Sequence, residues 1–241
     1  MVNKELTGGV GGGQLTSTDM RASARIAENL VALINPYSYT GIENLPKRPP
    51  YIIAANHDVL RGSYTNMPYD GILINHWLRS VRGISPYWVA KLSSDSALNN
   101  LGEASKYASP IVRYGFKTLF GCVTQATYIS PDKCRNPLLE LVTKLQQGEV
   151  VCIFPTGSKY SQKVRAGVLY LSQKAGGEDL VVPIIPVRIG RIKEGLLRSY
   201  YTLEVMPPIC PIFKSDRPNR DEIRKYTTQI QQSLYGIPYK R

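Results

Sequence analysis

Short apolar runs alternate with longer amphipathic segments along this chain, and the alternation constrains its fold more than any other feature. Tyr51–Ala55 and Val150–Phe154 have the length and apolar content of strands that are buried on both faces. Asp70–Val81 and the segment that begins at Asn136 repeat apolar residues at helical spacing instead. Strands that alternate with helices predict an α/β fold, a single layered domain with a largely parallel central sheet flanked by helices.

The further elements follow from the same patterns. They are, in chain order, a helix over Thr18–Ile34, a mostly helical stretch over Leu98–Val123, a helix over Arg165–Ala175, strands over Leu180–Val187 and Tyr200–Val205, and a C-terminal helix that starts at the capping-box pair Asn219 and Glu222. The first of these helices has two interpretations. It packs on the core, which its small alanines favour, or its basic amphipathic face lies on a bilayer.

The first 17 residues contain five glycines and predict a flexible lead, so we place the domain at residues 18–241. The lead lacks the preceding strand that a nucleotide-binding glycine loop needs. It also lacks the apolar region of a signal peptide, and no run of ~18 apolar residues occurs anywhere in the sequence. We therefore expect a cytoplasmic protein whose membrane contact is peripheral.

The charge is strongly positive, with 30 Lys and Arg against 18 Asp and Glu. A net charge of +12 favours phosphates, anionic lipid surfaces and acidic carrier proteins as partners. No nucleic-acid-binding motif accompanies it, so nucleic acid is not expected. The four cysteines form no C-x-x-C pair, which argues against a zinc or redox site and for a reducing compartment.

Two polar turns follow the two apolar runs directly, where the carboxyl ends of parallel strands gather. His57 comes just after the first run. A histidine in this position is a candidate acid or base if a carboxylate holds its other ring nitrogen, and Asp70 at the start of the next helix is the candidate partner. The second histidine, His76, lies within a helical pattern beside Trp77, which predicts a structural role.

The second turn is rich in groups that bind anions. Gly157 permits close approach of a ligand to the backbone, and Ser158 and Lys159 supply donors. Lys163 and Arg165 continue the basic character to the start of the next helix, where an anion is favoured. A phosphate-holding turn and a solvated basic turn are equally compatible with these residues alone.

Together these segments resemble the PlsC-like glycerolipid acyltransferase family, which includes lysophosphatidic acid and glycerol-3-phosphate acyltransferases. The resemblance extends from about Tyr37 to Pro208. It rests on four motifs in order: Gly41-Ile-Glu-Asn-Leu-Pro46 with Tyr51-Ile-Ile-Ala-Ala-Asn-His57, then Phe154-Pro-Thr-Gly-Ser-Lys159, then Lys163-Val-Arg-Ala-Gly167, and finally Val181-Val-Pro-Ile-Ile-Pro-Val187.

The chain departs from the family pattern at three points. Gly62 stands where the family has the aspartate of its catalytic motif, so the matching aspartate is Asp70, after an insertion at Arg61–Pro68. Thr156 stands where the family has a glutamate, and Pro131 where it has an arginine. Both family residues help to hold a glycerol phosphate.

The resemblance implies an acyltransferase that needs no cofactor and no metal. His57 and Asp70 would be the catalytic pair, and Thr156, Gly157, Ser158, Lys159, Lys163 and Arg165 would bind substrate. The acyl donor would be acyl-CoA or acyl-carrier protein, and the acceptor a lysophospholipid such as 1-acyl-glycerol-3-phosphate. Two alternatives stay open: a different lipid alcohol as acceptor, or an inactive relative that binds lipid or carrier protein.

Overall fold

The computed structural model describes residues 36–57, 67–91, 126–129, 135–157, 161–177, 181–193, 199–215 and 218–236, together with Arg25, Ile26, Asn29, Ala32 and Leu33. The strands in these ranges are β1 Tyr37–Thr40, β2 Tyr51–Ala55, β3 Tyr87–Lys91, β4 Ala126–Ile129, β5 Val150–Ile153, β6 Ile184–Lys193 and β7 Ser199–Val205. The helices are the 3-10 turn Ile42–Asn44 and α1 Met67–Arg82, α2 Arg135–Gln146, α3 Gly167–Gly176 and α4 Arg220–Tyr235.

The seven strands form one sheet in the order β1-β7-β6-β2-β5-β3-β4. Every neighbouring pair is parallel except β6 and β7. The predicted α/β class with a largely parallel sheet is therefore confirmed. β2 lies at the centre, where Ala54 is opposite Ile153 of β5 on one side and Pro186 of β6 on the other.

Apolar side chains fill both faces of the sheet. On one face, alternate residues of β2 pack with Leu73, Ile74 and Trp77 of α1. On the other face, Ile52 and Ala54 pack with residues of α2, α3 and α4. A strand that is covered on both sides needs apolar residues at every position, which explains the continuous apolar run over Tyr51–Ala55.

Several element boundaries differ from the predictions. The strands β1, β3 and β4 were not predicted, and β6 begins at Ile184 and continues to Lys193. β6 is longer than its apolar run because β7 pairs with it as far as Lys193 and Ser199. The helix predicted from Asp70 begins earlier, at Met67, so the last two residues of the predicted insertion Arg61–Pro68 are helical.

The C-terminal helix begins as predicted. The Asn219 side chain accepts hydrogen bonds from the backbone N–H groups of Asp221 and Glu222, and the Glu222 carboxylate accepts one from the Asn219 N–H. This reciprocal arrangement satisfies donors that a helix start leaves unpaired.

Two predictions fall on other parts of the chain. The Gly-rich lead of residues 1–17 and the stretch Leu98–Val123 lie outside the described residues. Of Thr18–Ile34, the five described residues are helical. Among the described residues, no helix has both the length and the apolar character that crossing a bilayer would require.

Candidate functional site

The Asn56 side chain fixes the point at which the chain leaves β2 and continues to His57. The Asn56 amide donates to the Ile189 carbonyl at 3.0 Å, and its oxygen accepts from the Ile189 N–H at 2.6 Å. The side chain thus replaces one backbone pair of the ladder between β2 and β6, just where β2 ends. Because both bonds are buried, they fix the position from which the next residue turns out of the sheet.

The predicted partners His57 and Asp70 lie together at this edge. Asp70 is in the first turn of α1, and its Oδ2 is 3.4 Å from His57 Nδ1. Their side chains are only 8% and 2% exposed. Hydrogen bonds between catalytic groups are often this long before substrate binds. The start of α1 therefore brings the carboxylate back across the inserted segment.

An aromatic ring supports the imidazole from the side. Phe154, which follows β5, stacks on the His57 ring with 3.7 Å between ring centroids and 21° between planes. Trp88 of β3 packs on Phe154 in turn, at 5.3 Å between centroids. The carboxylate and the two rings together restrict both the position and the plane of the imidazole.

The turn after Phe154 is held in place by a buried side chain. Thr156 is 1% exposed, and a side-chain hydrogen bond joins it to Tyr235 at the end of α4. Burial raises the pKa of Tyr235, and this hydrogen bond offsets part of the rise. The residue at the family's glutamate position is thus turned toward the C-terminal helix. Its role as a substrate contact stays a prediction.

The basic residues of the predicted site that the structure describes lie between the turn after β5 and α3. Lys163 and Arg165 are both exposed, and the Arg165 N–H donates to the Pro155 carbonyl at 2.9 Å. Gly157 has a left-handed φ of 63°, and a Cβ there would lie 3.3 Å from Arg165 Nε. The guanidinium therefore lies over the turn. Ser158, Lys159 and Pro131 lie outside the described residues.

The start of α3 adds a further favourable group for an anion. Ala166 precedes the helix and offers no side-chain cap, so the first N–H groups of the helix have no side-chain acceptor from that residue. Such a helix start favours negative charge. Lys163 and Arg165 immediately precede it.

In the part of the chain that the structure describes, no group of three or more His, Cys, Asp or Glu side chains is placed to hold a metal ion. Cys152 is buried in β5, and burial raises the pKa of its thiol well above the ordinary value. A thiol in that state is a poor nucleophile.

The sequence predicted that His57 and Asp70 lie together, but it did not predict the residues that contact them. It did not assign roles to Asn56, Phe154, Trp88 or Tyr235. Two of these had a visible signal, because Asn56 directly precedes His57 and Phe154 ends an apolar strand next to the second turn. The sequence contains no signal that pairs Trp88 with Phe154 or Tyr235 with Thr156.

The comparisons with known proteins identify the family of this chain. A search of curated proteins gives no match. A family model described as acyltransferase matches residues 37–190, which is more than half of the 241 residues and spans both β2 with His57 and the turn after β5. This chain therefore belongs to the acyltransferase family and is an enzyme that transfers acyl groups.

Proposed function

We propose that this enzyme moves a fatty acyl group from acyl-CoA or acyl-carrier protein to a hydroxyl of a lysophospholipid such as 1-acyl-glycerol-3-phosphate, with His57 as the general base. The observation that carries the proposal is the buried 3.4 Å contact between His57 Nδ1 and Asp70 Oδ2. This contact also argues against an inactive relative, for which the pairing would serve no chemistry.

The contact assigns a role to each ring nitrogen. Because Asp70 holds Nδ1, Nε2 is the nitrogen that takes the proton of the acceptor hydroxyl. A carboxylate next to Nδ1 stabilises the positive imidazolium that forms. The ring stack with Phe154 keeps Nε2 aimed in one direction during this step.

The reaction balances without a covalent enzyme intermediate. The acceptor oxygen attacks the thioester carbonyl as its proton passes to His57 Nε2. A tetrahedral intermediate forms, the C–S bond breaks, and the thiolate leaves with the proton that His57 returns. The products are an ester and the free thiol of the carrier, and no cofactor is consumed.

Cationic groups near the site would hold a phosphate of either substrate. Lys163 and Arg165 are exposed beside the start of α3, and the Arg165 guanidinium lies over Gly157. Ser158 and Lys159 follow in sequence. We assign these residues to phosphate binding because their charges and the helix start favour the same ligand.

One observation favours a second acceptor class. Thr156 replaces the glutamate that the family uses at this position, and it is bonded to Tyr235. The family residue at this position helps to hold a glycerol phosphate, so its replacement favours an acceptor that lacks this group. A different lipid alcohol is therefore the second candidate.

The proposed setting is the cytoplasmic surface of a membrane, where the enzyme binds peripherally. The net charge of +12 suits an anionic bilayer and an acidic carrier protein. A lipid acceptor is presented at such a surface. Nucleic acid is not a proposed partner.

The test is a product assay. Purified protein is incubated with labelled acyl-CoA or acyl-carrier protein, with lysophosphatidic acid or a total lipid extract as acceptor, and products are identified by mass. We expect a labelled phosphatidic acid from the defined acceptor. A labelled ester only from the extract would select the second candidate, and no acylated lipid from any combination would contradict the proposal.

A further inference from the structure

Large apolar side chains remain exposed on the surface of the described residues. They are Ile26, Leu33, Tyr39, Leu139, Tyr170, Ile192 and Ile212. Scattered exposed apolar residues are ordinary, but bulky aliphatic residues that share one edge of a protein mark an interaction site. The four most exposed aliphatic side chains are Leu33, Ile212, Ile26 and Ile192, and their positions are therefore informative.

Ile192 extends beyond the catalytic edge of the sheet. Val187 of β6 is opposite Ala55 of β2, two residues before His57. Ile192 lies five residues further along β6, which is roughly 16 Å in an extended strand. It is opposite Tyr200 in the pairing of β6 with β7, and it is 61% exposed. The end of β6 thus projects past His57.

Leu33 reaches the same edge from another element. The Tyr201 N–H donates to the Pro36 carbonyl, and Tyr201 is opposite Arg191 of β6. β1 therefore starts at the edge of the sheet where β6 ends, with β7 between the two strands. Leu33 precedes Pro36 by three residues in helical backbone and is 77% exposed.

Ile26 adds a further exposed aliphatic side chain to this surface. Ile26 and Leu33 are both in helical backbone and are seven residues apart, a spacing typical of side chains on one helix face. The surface thus includes helical residues that precede β1 in the chain.

Ile212 lies at the other end of the sheet. It follows β7, and Ile209 just before it bonds to Ile184 at the start of β6. The start of β6 is the edge away from His57. Ile212 is 74% exposed and therefore provides a matched position with no relation to the catalytic edge.

Exposed positive charge accompanies the apolar residues at the catalytic edge. Lys163 and Arg165 are exposed next to the turn that follows β5, and Arg25 is exposed beside Ile26. Bulky aliphatic side chains with Lys and Arg nearby are the composition that binds an anionic bilayer. The cations alone would also attract an acidic carrier protein, but the aliphatic side chains gain most by entering the apolar boundary of a bilayer.

We propose that Ile26, Leu33 and Ile192 form a membrane-docking surface that enters an anionic bilayer and holds the His57 edge of the sheet against the lipid. The inference rests on the proposed function, because a lipid acceptor that stays in the bilayer has to enter at this edge. It adds the residues and the orientation by which the enzyme meets its substrate.

Vesicle sedimentation tests the surface without using catalysis. The wild-type protein, the double variant Leu33→Ser/Ile192→Ser and the control Ile212→Ser are mixed with phosphatidylcholine vesicles with and without phosphatidylglycerol. We expect the double variant to bind anionic vesicles at least about tenfold more weakly than the wild type, and Ile212→Ser to bind as the wild type does. Circular dichroism checks that all three proteins are folded.

Each other outcome overturns the inference. The surface is wrong if the wild type does not bind anionic vesicles, if the double variant binds as the wild type does, or if Ile212→Ser is weakened as much. Loss of carrier-protein binding with unchanged vesicle binding would assign the surface to that partner instead. The variant His57→Ala separates the two proposals, because it should bind vesicles normally whether or not the acyl-transfer mechanism is right.

Discussion

The two histidines of this protein occupy opposite electrostatic environments. His57 follows a strand end, and its Nδ1 faces the Asp70 carboxylate. His76 lies in the middle of α1, and its Nδ1 is hydrogen-bonded with the Tyr37 hydroxyl at 2.8 Å. Burial and, to a smaller extent, the charge of Arg79 lower the pKa of His76. The group that faces Nδ1 is a carboxylate in the first site and a phenol hydroxyl in the second.

The comparison indicates that the group hydrogen-bonded to Nδ1 decides which role a histidine can take. A carboxylate supports a base that becomes charged during the reaction. A phenol hydroxyl supports a neutral ring that fills space and joins β1 to α1. Substitutions at the two histidines and at their neighbours test this distinction.

The largest effect is expected for His57→Ala. Loss of a general base typically reduces turnover by about 10²–10⁴-fold, and the partly buried site keeps its other packing. Steady-state kcat is measured with acyl-CoA, and thermal unfolding monitors the fold. Retention of more than a tenth of the wild-type kcat by the folded variant would remove His57 from the mechanism.

Asp70→Asn should have the next largest effect. The amide keeps the shape of the side chain but loses the charge that stabilises imidazolium, so we expect kcat to fall by about 10²-fold. Since substrate binding does not use this charge, KM should change little. A large rise in KM with unchanged kcat would show that Asp70 binds substrate. The contrast with His76 would then not reflect a catalytic role of the His57–Asp70 pair.

Phe154→Leu should have a moderate effect. Stacked aromatic pairs contribute about 0.5–1.5 kcal/mol, so loss of the ring should lower kcat by roughly two- to tenfold through poorer placement of His57. Phe154→Tyr keeps the ring and serves as the matched control. Equal losses in both variants would show that the stack does not position the imidazole.

His76→Gln should leave kcat within about twofold of the wild type and should change stability instead. Because the folded-state pKa of His76 is lowered, its contribution to stability is present above about pH 6.5 and is lost as the pH falls through that lowered value. Chemical denaturation at several pH values should show a smaller acid-dependent loss of stability in the variant. A large fall in kcat would contradict the structural assignment.

The sequence predicted the centre of the fold better than its edges. The β2 and β5 runs are buried on both faces, so nearly every residue in them is apolar and the signal is strong. The β1 strand is four residues long with three exposed, and its pairing partner β7 is distant in sequence, so no local pattern marks it. The second half of β6 was not predicted because Arg188 and Arg191 are charged and Gly190 has no side chain, which interrupts the apolar strand pattern.

The sequence likewise predicted only part of the candidate site. His57 and Asp70 could be proposed because both follow local signals, a strand end and a helix start. The Thr156–Tyr235 hydrogen bond could not, because it depends on where the end of α4 packs against the turn after β5. Long-range side-chain pairings of this kind have no counterpart in local sequence patterns.

The most direct test of His57 as the base compares its protonation with the rate. The His76→Gln variant leaves a single imidazole in the protein, so one NMR signal reports the titration of His57. A general base acts only when deprotonated, so kcat/KM should rise with pH over the same range in which that signal titrates. A kcat/KM that stays constant while the imidazole changes its protonation would contradict the account.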